Sequence, residues 1–282
     1  MCLVRILKPA IICLSGQVSG ILGTVNTDSS DQAEANRGLL ARTDWAALGH
    51  AYGSAAEAAK ELAALLDADQ RVRTRALSYI HNTLNHQNTL YEATVPAALY
   101  VASILSDPRT TCTVDKDRHS FPGCMRAELL RWIASVANEV TDEAAVRSKH
   151  HGFPLDDYAP AVGIQKIRPT LFSASLPYTE ESDRHVREAA LAACIPLLDD
   201  PRLLRHRRPL VPLIREALGT SELWQHRERA IDTLEAWGED SSGLEGQRNP
   251  FLFCDADLPA DSSLIWPAER NSTEGHSEVP PF

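Results

Sequence analysis

The sequence predicts an all-α protein in which about four helical hairpins stack side by side between disordered ends. Three observations carry this. Ala and Leu are abundant while aromatic residues make up only 6% of the 282, a composition that suits helices packed through small and medium side chains better than a β-sandwich. Four segments share one apolar pattern when laid over one another. The spacing within that pattern is helical.

The first 43 residues read as a poorly structured leader. Arg5 and Lys8 precede an apolar run, Ala10 to Leu14, that Pro9 and Gly16 interrupt, and an export signal needs a longer apolar core. No stretch approaches the roughly 20 apolar residues of a membrane span. Residues 44–238 are expected to fold, and residues 239–282 to form an acidic disordered tail.

The four matching segments begin at Val72-Arg73, Met125-Arg126, Val186-Arg187 and His226-Arg227, at steps of 53, 61 and 40 residues. Three positions after each Arg stands Ala76, Leu129, Ala190 or Ala230. Next comes Leu77, Leu130, Leu191 or Ile231, and three further on Ile80, Ile133, Cys194 or Leu234. Spacing of i, i+1, i+4 makes one buried stripe of a helix. Asp69 and Asp183 precede two of the segments and suit a helix N-terminus. Together with Arg73, Arg126, Arg187 and Arg227 they predict a ladder of Asp–Arg pairs tying successive hairpins.

An Asp, then Val-Arg, then Ala-Leu on a second helix resembles the HEAT repeat family. The clearest copies are Asp69–Leu77 and Asp183–Leu191. The resemblance covers about residues 44–238, with weaker matches where Pro122-Gly123 and Leu223 replace the Asp, and the stretches Asp44 to Ala55 and Tyr91 to Pro96 are similar to bacterial HEAT-like repeat proteins. The resemblance implies an α-solenoid and a binding role without naming a ligand.

The first helices of each pair follow from capping signals. Ser54 is expected to cap 55–66. Thr94 is expected to cap a helix with Pro96 in its first turn, where the missing N–H costs nothing, and Asp107-Pro108 to end it. The third runs over about 161–176 with a kink at Pro169. The fourth runs over about 208–218 and ends at Gly219, and Ser221 caps the helix that follows. Stacked pairs bury a continuous core that no single pair buries alone. Residues 106–121 and 140–160 break the period and read as insertions. Phe251–Phe253 and Leu264–Trp266 are apolar islands in the tail.

The formal net charge of -10 is uneven: residues 239–282 carry nine Asp and Glu against two Arg. The body is nearly balanced and lacks the basic character of a dedicated nucleic-acid binder. The six cysteines form no C-x-x-C pair, which suits a reducing cytoplasm better than a disulfide scaffold. Nucleotide-loop, zinc-protease and nucleophile-elbow motifs are missing, so no catalytic residue, cofactor or metal is assigned. His81 and His86 are about 140° apart around a helix and do not share a ligand face.

Two features point to an interaction surface. His81 to Asn88 is a polar run rich in hydrogen-bonding side chains. Tyr79 and Trp132 occupy one position of the repeat, flanked by Asn82, Arg131 and Ser135. Second helices line the concave face of a HEAT-like stack, so Tyr79, Asn82, His86, Arg131, Trp132 and Ser135 are the expected protein-binding residues, with packing between repeats as the competing role for the two aromatics. Arg202, Arg205, Arg207, Arg208 and Arg215 form a second candidate surface, for phosphate or for the acidic tail. The leading expectation is a non-catalytic protein-binding scaffold, by fold analogy an inhibitor or immunity-type protein. A DNA-repair HEAT-like protein and a lyase-like modifying enzyme are the alternatives.

Overall fold

The computed structural model describes residues 29–114 and 123–244. Among these are ten α-helices: α1 (Ser29–Arg42), α2 (Ala58–Ala63), α3 (Gln70–Tyr79), α4 (Thr94–Ile104), α5 (Met125–Asn138), α6 (Asp142–His150), α7 (Ala159–Ser175), α8 (Arg184–Leu197), α9 (Arg207–Leu213) and α10 (Trp224–Ala236). A 3-10 turn extends α2 to Leu66, and π-type turns extend α3 to Leu84 and α9 to Leu218. Two short antiparallel ladders complete the fold. Strand β1 (Gly49–His50) pairs with β2 (Gly53–Ser54), and β3 (Thr113–Val114) with β4 (Gly123–Cys124). The protein is therefore mostly helical, as its composition predicts.

Helix α4 packs against α1, α2 and α7, while α8 packs against α5 and α10. Within pairs, α2 meets α3, α4 meets α5, α7 meets α8, and the turn after α9 meets α10. The predicted apolar columns lie in the core: eleven of the twelve residues are buried, and Ile231 is half-buried against them.

The arginine column has a different role from the one expected. Asp69 and Asp183 spend their carboxylates on the amides of their own helices: Asp69 on Arg71 N at 2.8 Å, Asp183 on His185 N at 2.8 Å and Val186 N at 3.2 Å. The arginines instead donate to backbone carbonyls in front of their helices. Arg73 reaches Asp67 O and Ala68 O, both at 2.8 Å. Arg126 reaches Leu105 O at 2.9 Å, Arg187 reaches Glu181 O at 2.7 Å, and Arg227 reaches Ser221 O. The last carbonyls of a helix have no amide partner inside it, and a guanidinium supplies several donors from one side chain. Each arginine thus closes the end of the preceding segment onto the following helix. Arg73 also reaches forward to Thr113 O at 3.2 Å.

Several local expectations are corrected. The last third of the leader is helical, because α1 spans Ser29–Arg42. Ser54 lies in β2, where its hydroxyl donates to Ala46 O at 2.9 Å, and α2 starts only at Ala58. Gly53, at φ +130°, turns the hairpin there. Thr94 is the first residue of α4, and its hydroxyl bonds Leu84 O at 2.5 Å and accepts from Tyr91 N at 2.8 Å. The insertion over 140–160 contains α6, capped by Thr141 Oγ1 at 3.1 Å from Ala144 N. Asp142 and Glu143 stand in its first turn, and Arg147, Lys149 and His150 in its last, which matches the helix dipole at both ends. It shows no apolar stripe in the sequence because it buries no residue.

At the other end, residues 239–244 turn back. Arg215 donates to Asp240 O and to Ser242 O at 3.0 Å, and Leu244 packs on Gly219, where a Cβ would meet its Cδ2 at 2.6 Å. The arginine cluster therefore does touch the start of the tail, through backbone carbonyls. The two apolar islands lie outside the described residues.

Candidate interaction surfaces

The first surface assembles around the β1–β2 hairpin. Ala51 N donates to Thr83 O at 3.2 Å, which ties the hairpin tip to the π-type turn after α3. His50 accepts from Tyr52 N at 3.0 Å through Nδ1, and its Nε2 lies 2.7 Å from Glu57 Oε1. The acceptor role of Nδ1 places the ring proton on Nε2. Tyr79 donates to the same Glu57 oxygen at 3.2 Å. Burial raises the Tyr79 phenol well above the ordinary tyrosine range, and the negative charges of Glu57 and Glu61 add to it. Tyr52, 69% exposed, lies with its ring 5.4 Å from that of His86.

The predicted binding residues divide on this frame. Tyr79 and Asn82 line a shallow cavity of about 420 Å³ with Glu57, Glu61, Arg75, Ser78 and Thr83. His86 stands beside Tyr52 at the rim. Ser135 donates to Asn85 Oδ1 at 2.8 Å and to Asn88 Oδ1 at 3.3 Å, so α5 is joined to the polar run. Gln87 and Asn88 hold left-handed backbone, φ 50° and 59°, and the chain reverses there between α3 and α4. Arg131 is bound by Glu128, one turn earlier on α5.

Trp132 is a correction. Its side chain is wholly buried, and its indole N–H donates to Ile80 O at 2.9 Å, 52 residues away. The indole locks α5 onto the end of α3 and presents nothing to a partner. Position in the repeat brought Tyr79 and Trp132 together in the sequence, but they are not equivalent in burial. His50, Tyr52 and Glu57 were missed because they precede the repeat pattern and sit in a hairpin without helical period.

The second surface was not foreseen. A groove of about 650 Å³ lies among α6, the last turns of α5 and α8, the start of α9 and the length of α10. Its floor includes Ile195, Pro196, Ala236 and Trp237, and its walls carry Asp142, Glu143, Asp199, Glu228 and Asp232 against Arg147, Arg207 and Arg229. Arg207 donates to Leu198 O at 3.0 Å and to Asp199 at 3.2 Å, with its guanidinium 5.4 Å from the Trp237 ring centre. Pro196 lacks an N–H, which leaves the Ala192 carbonyl without its helical partner, and Arg229 takes that carbonyl at 3.1 Å.

Among the described residues no group of three or more His, Cys, Asp or Glu side chains is placed to hold a metal ion, and no helix is long and apolar enough to cross a membrane. Cys112, Cys124 and Cys194 are free thiols. No family model, no curated protein and no solved structure matches the chain.

Proposed function

We propose that the chain is a non-catalytic protein-binding scaffold, an α-solenoid of four HEAT-type hairpins that holds its partner along the face of the second helices α3, α5, α8 and α10. The observation that carries this reading is the recurrence of one contact. Arg73, Arg187 and Arg227 each bond the carbonyl six residues upstream, and Arg126 makes the corresponding bond to Leu105 O across an insertion. A chain assembled by repeating one clamped hairpin has long open faces in place of a closed pocket, and such faces suit macromolecules.

The chemistry of the surfaces supports the same reading. Hydrogen bonds at 2.7 and 3.2 Å join Glu57 to His50 and to Tyr79, which suits a structural role for this group. The carboxylates of the large groove oppose a phosphate backbone, which favours protein over nucleic acid. Free thiols suit a reducing cytoplasm.

The test is site-directed photo-crosslinking in native extract. Benzoylphenylalanine replaces Gln225 in the groove or, separately, exposed Lys166 on α7. A single protein adduct of defined mass from Gln225, with none from Lys166, supports the scaffold. Equal labelling from both, or none from Gln225 and none from a third variant carrying the photo-crosslinker at Asn82, overturns it.

A further inference from the structure

The large groove has an electrostatic character that its lining residues fix together. Helices α5 and α8 end at it, with Asn138, Ile195 and Pro196 in their last turns, α10 runs along it from Gln225 to Ala236, and α6 and α9 begin at it with Asp142, Glu143 and Arg207. Five carboxylates stand on the walls against three guanidinium groups.

Each of those arginines already has a task. Arg229 satisfies the carbonyl that Pro196 frees. Arg207 closes the end of α8 and pairs with Asp199. Arg147 pairs with Glu143 one turn away at 3.2 Å. Among the described residues no ion pair within 4.0 Å forms with Asp142 or Asp232, which line the groove from α6 and α10, although Asp142 lies within the field of Arg168. Burial holds the Asp232 carboxyl above its ordinary range, and Glu235 and Glu143 add to the effect.

The wall itself lacks a counterpart. Helix α6 buries no residue, yet its capped, dipole-matched sequence keeps it folded beside α10, tethered by Asp142 N to Asp199 Oδ2 at 3.0 Å.

We propose that this groove takes a cationic segment of a partner protein, a short stretch carrying Lys or Arg whose charged ends meet Asp142 and Asp232 while its aliphatic stems lie on Ile195, Pro196 and Trp237. Long basic side chains suit such a floor because their methylene stems are apolar, and complementary charge sets both approach and register. The inference rests on the scaffold reading and adds the chemistry of what is bound.

The probe is a fluorescein-labelled oligoarginine peptide, followed by anisotropy. The double variant Asp142→Asn/Asp232→Asn is compared with Asp156→Asn/Asp157→Asn, an equal charge change on an exposed turn outside the groove. Urea midpoints confirm that both remain folded. The groove variant is expected to weaken peptide binding about tenfold, and the control less than about twofold, the scale of partly screened ion pairs. Equal losses in both variants overturn the proposal, because attraction to overall acidity then suffices. The Gln225 crosslink separates the two readings. An adduct that persists undiminished in the groove variant leaves the scaffold standing and removes the cationic segment. Loss of adducts along the whole second-helix face in the unaltered protein removes the scaffold.

Discussion

The indole N–H of Trp132 on α5 donates to the carbonyl of Ile80 at 2.9 Å, bridging 52 residues of sequence inside the core. The bond sits where the π-type turn Ile80–Leu84 departs from α3. Trp132→Phe keeps an aromatic ring and leaves that carbonyl without its donor, which costs about 1–3 kcal/mol. Urea unfolding measures it. A loss under about 0.5 kcal/mol means that the bond adds nothing to stability.

The Asp183 and Arg187 side chains work separately. Asp183 caps two amides of α8, and Arg187 donates to Glu181 O. Asp183→Ala should cost about 1 kcal/mol as a lost cap, and Arg187→Ala about 1–3 kcal/mol as a carbonyl left unpaired. In a double-mutant cycle the two should add to within roughly 0.5 kcal/mol. A coupling energy of about 1 kcal/mol or more restores the Asp–Arg ladder that the sequence suggested.

Gly163 in α7 tests the contact between α4 and α7. Ala in a helix interior usually gains about 0.5–1 kcal/mol over Gly. Here a Cβ would stand 2.7 Å from Val95 Cγ2, and a β-branched side chain is stiff at χ1. Gly163→Ala should therefore destabilise by about 1–3 kcal/mol, the usual overpacking cost. A stabilised variant in thermal unfolding contradicts this close approach.

Glu188 makes acid stability measurable. It is buried on α8 and accepts from Arg184 at 2.8 Å, with His226 Nδ1 at 3.2 Å. Burial alone raises its pKa, but the hydrogen bonds from His226 and Arg184 and the charge on His226 outweigh it and bring the pKa to about 2, from 4.5. A carboxyl depressed in the folded state contributes stability that is full above about pH 4.5 and lost as pH falls toward about 2. The contribution is about 3 kcal/mol. The stability gap between the protein and Glu188→Gln should narrow across that window. A gap independent of pH contradicts the pairing.

Much of the helical framework was legible in the sequence, and the reasons are local. The columns of Ala76, Leu77 and Ile80 and their counterparts repeat at helical spacing, and burial follows from that spacing directly. Asp69 and Asp183 announce their helices by capping chemistry. What the arginines bind was not legible, since a guanidinium donates to a carboxylate or to a carbonyl and only the fold decides which is near. Trp132 shares a repeat position with Tyr79, but Tyr79 sits by the β1–β2 hairpin while Trp132 is enclosed by the end of α3. Helix α6 and the groove escaped notice because α6 buries nothing and so shows no period. The groove itself is assembled from parts of five helices spread over residues 138–237.

The most direct test of the account is hydrogen exchange on the protein alone and on its complex isolated from native extract. Alone, α6 should exchange rapidly, since it buries no residue. In the complex, amides over 142–150 and 224–236 should slow together, as a segment seated between α6 and α10 requires. Unchanged exchange in α6, with new protection only at residues 50–54 and 85–88, would place the partner on the Tyr52–His86 surface and contradict the groove.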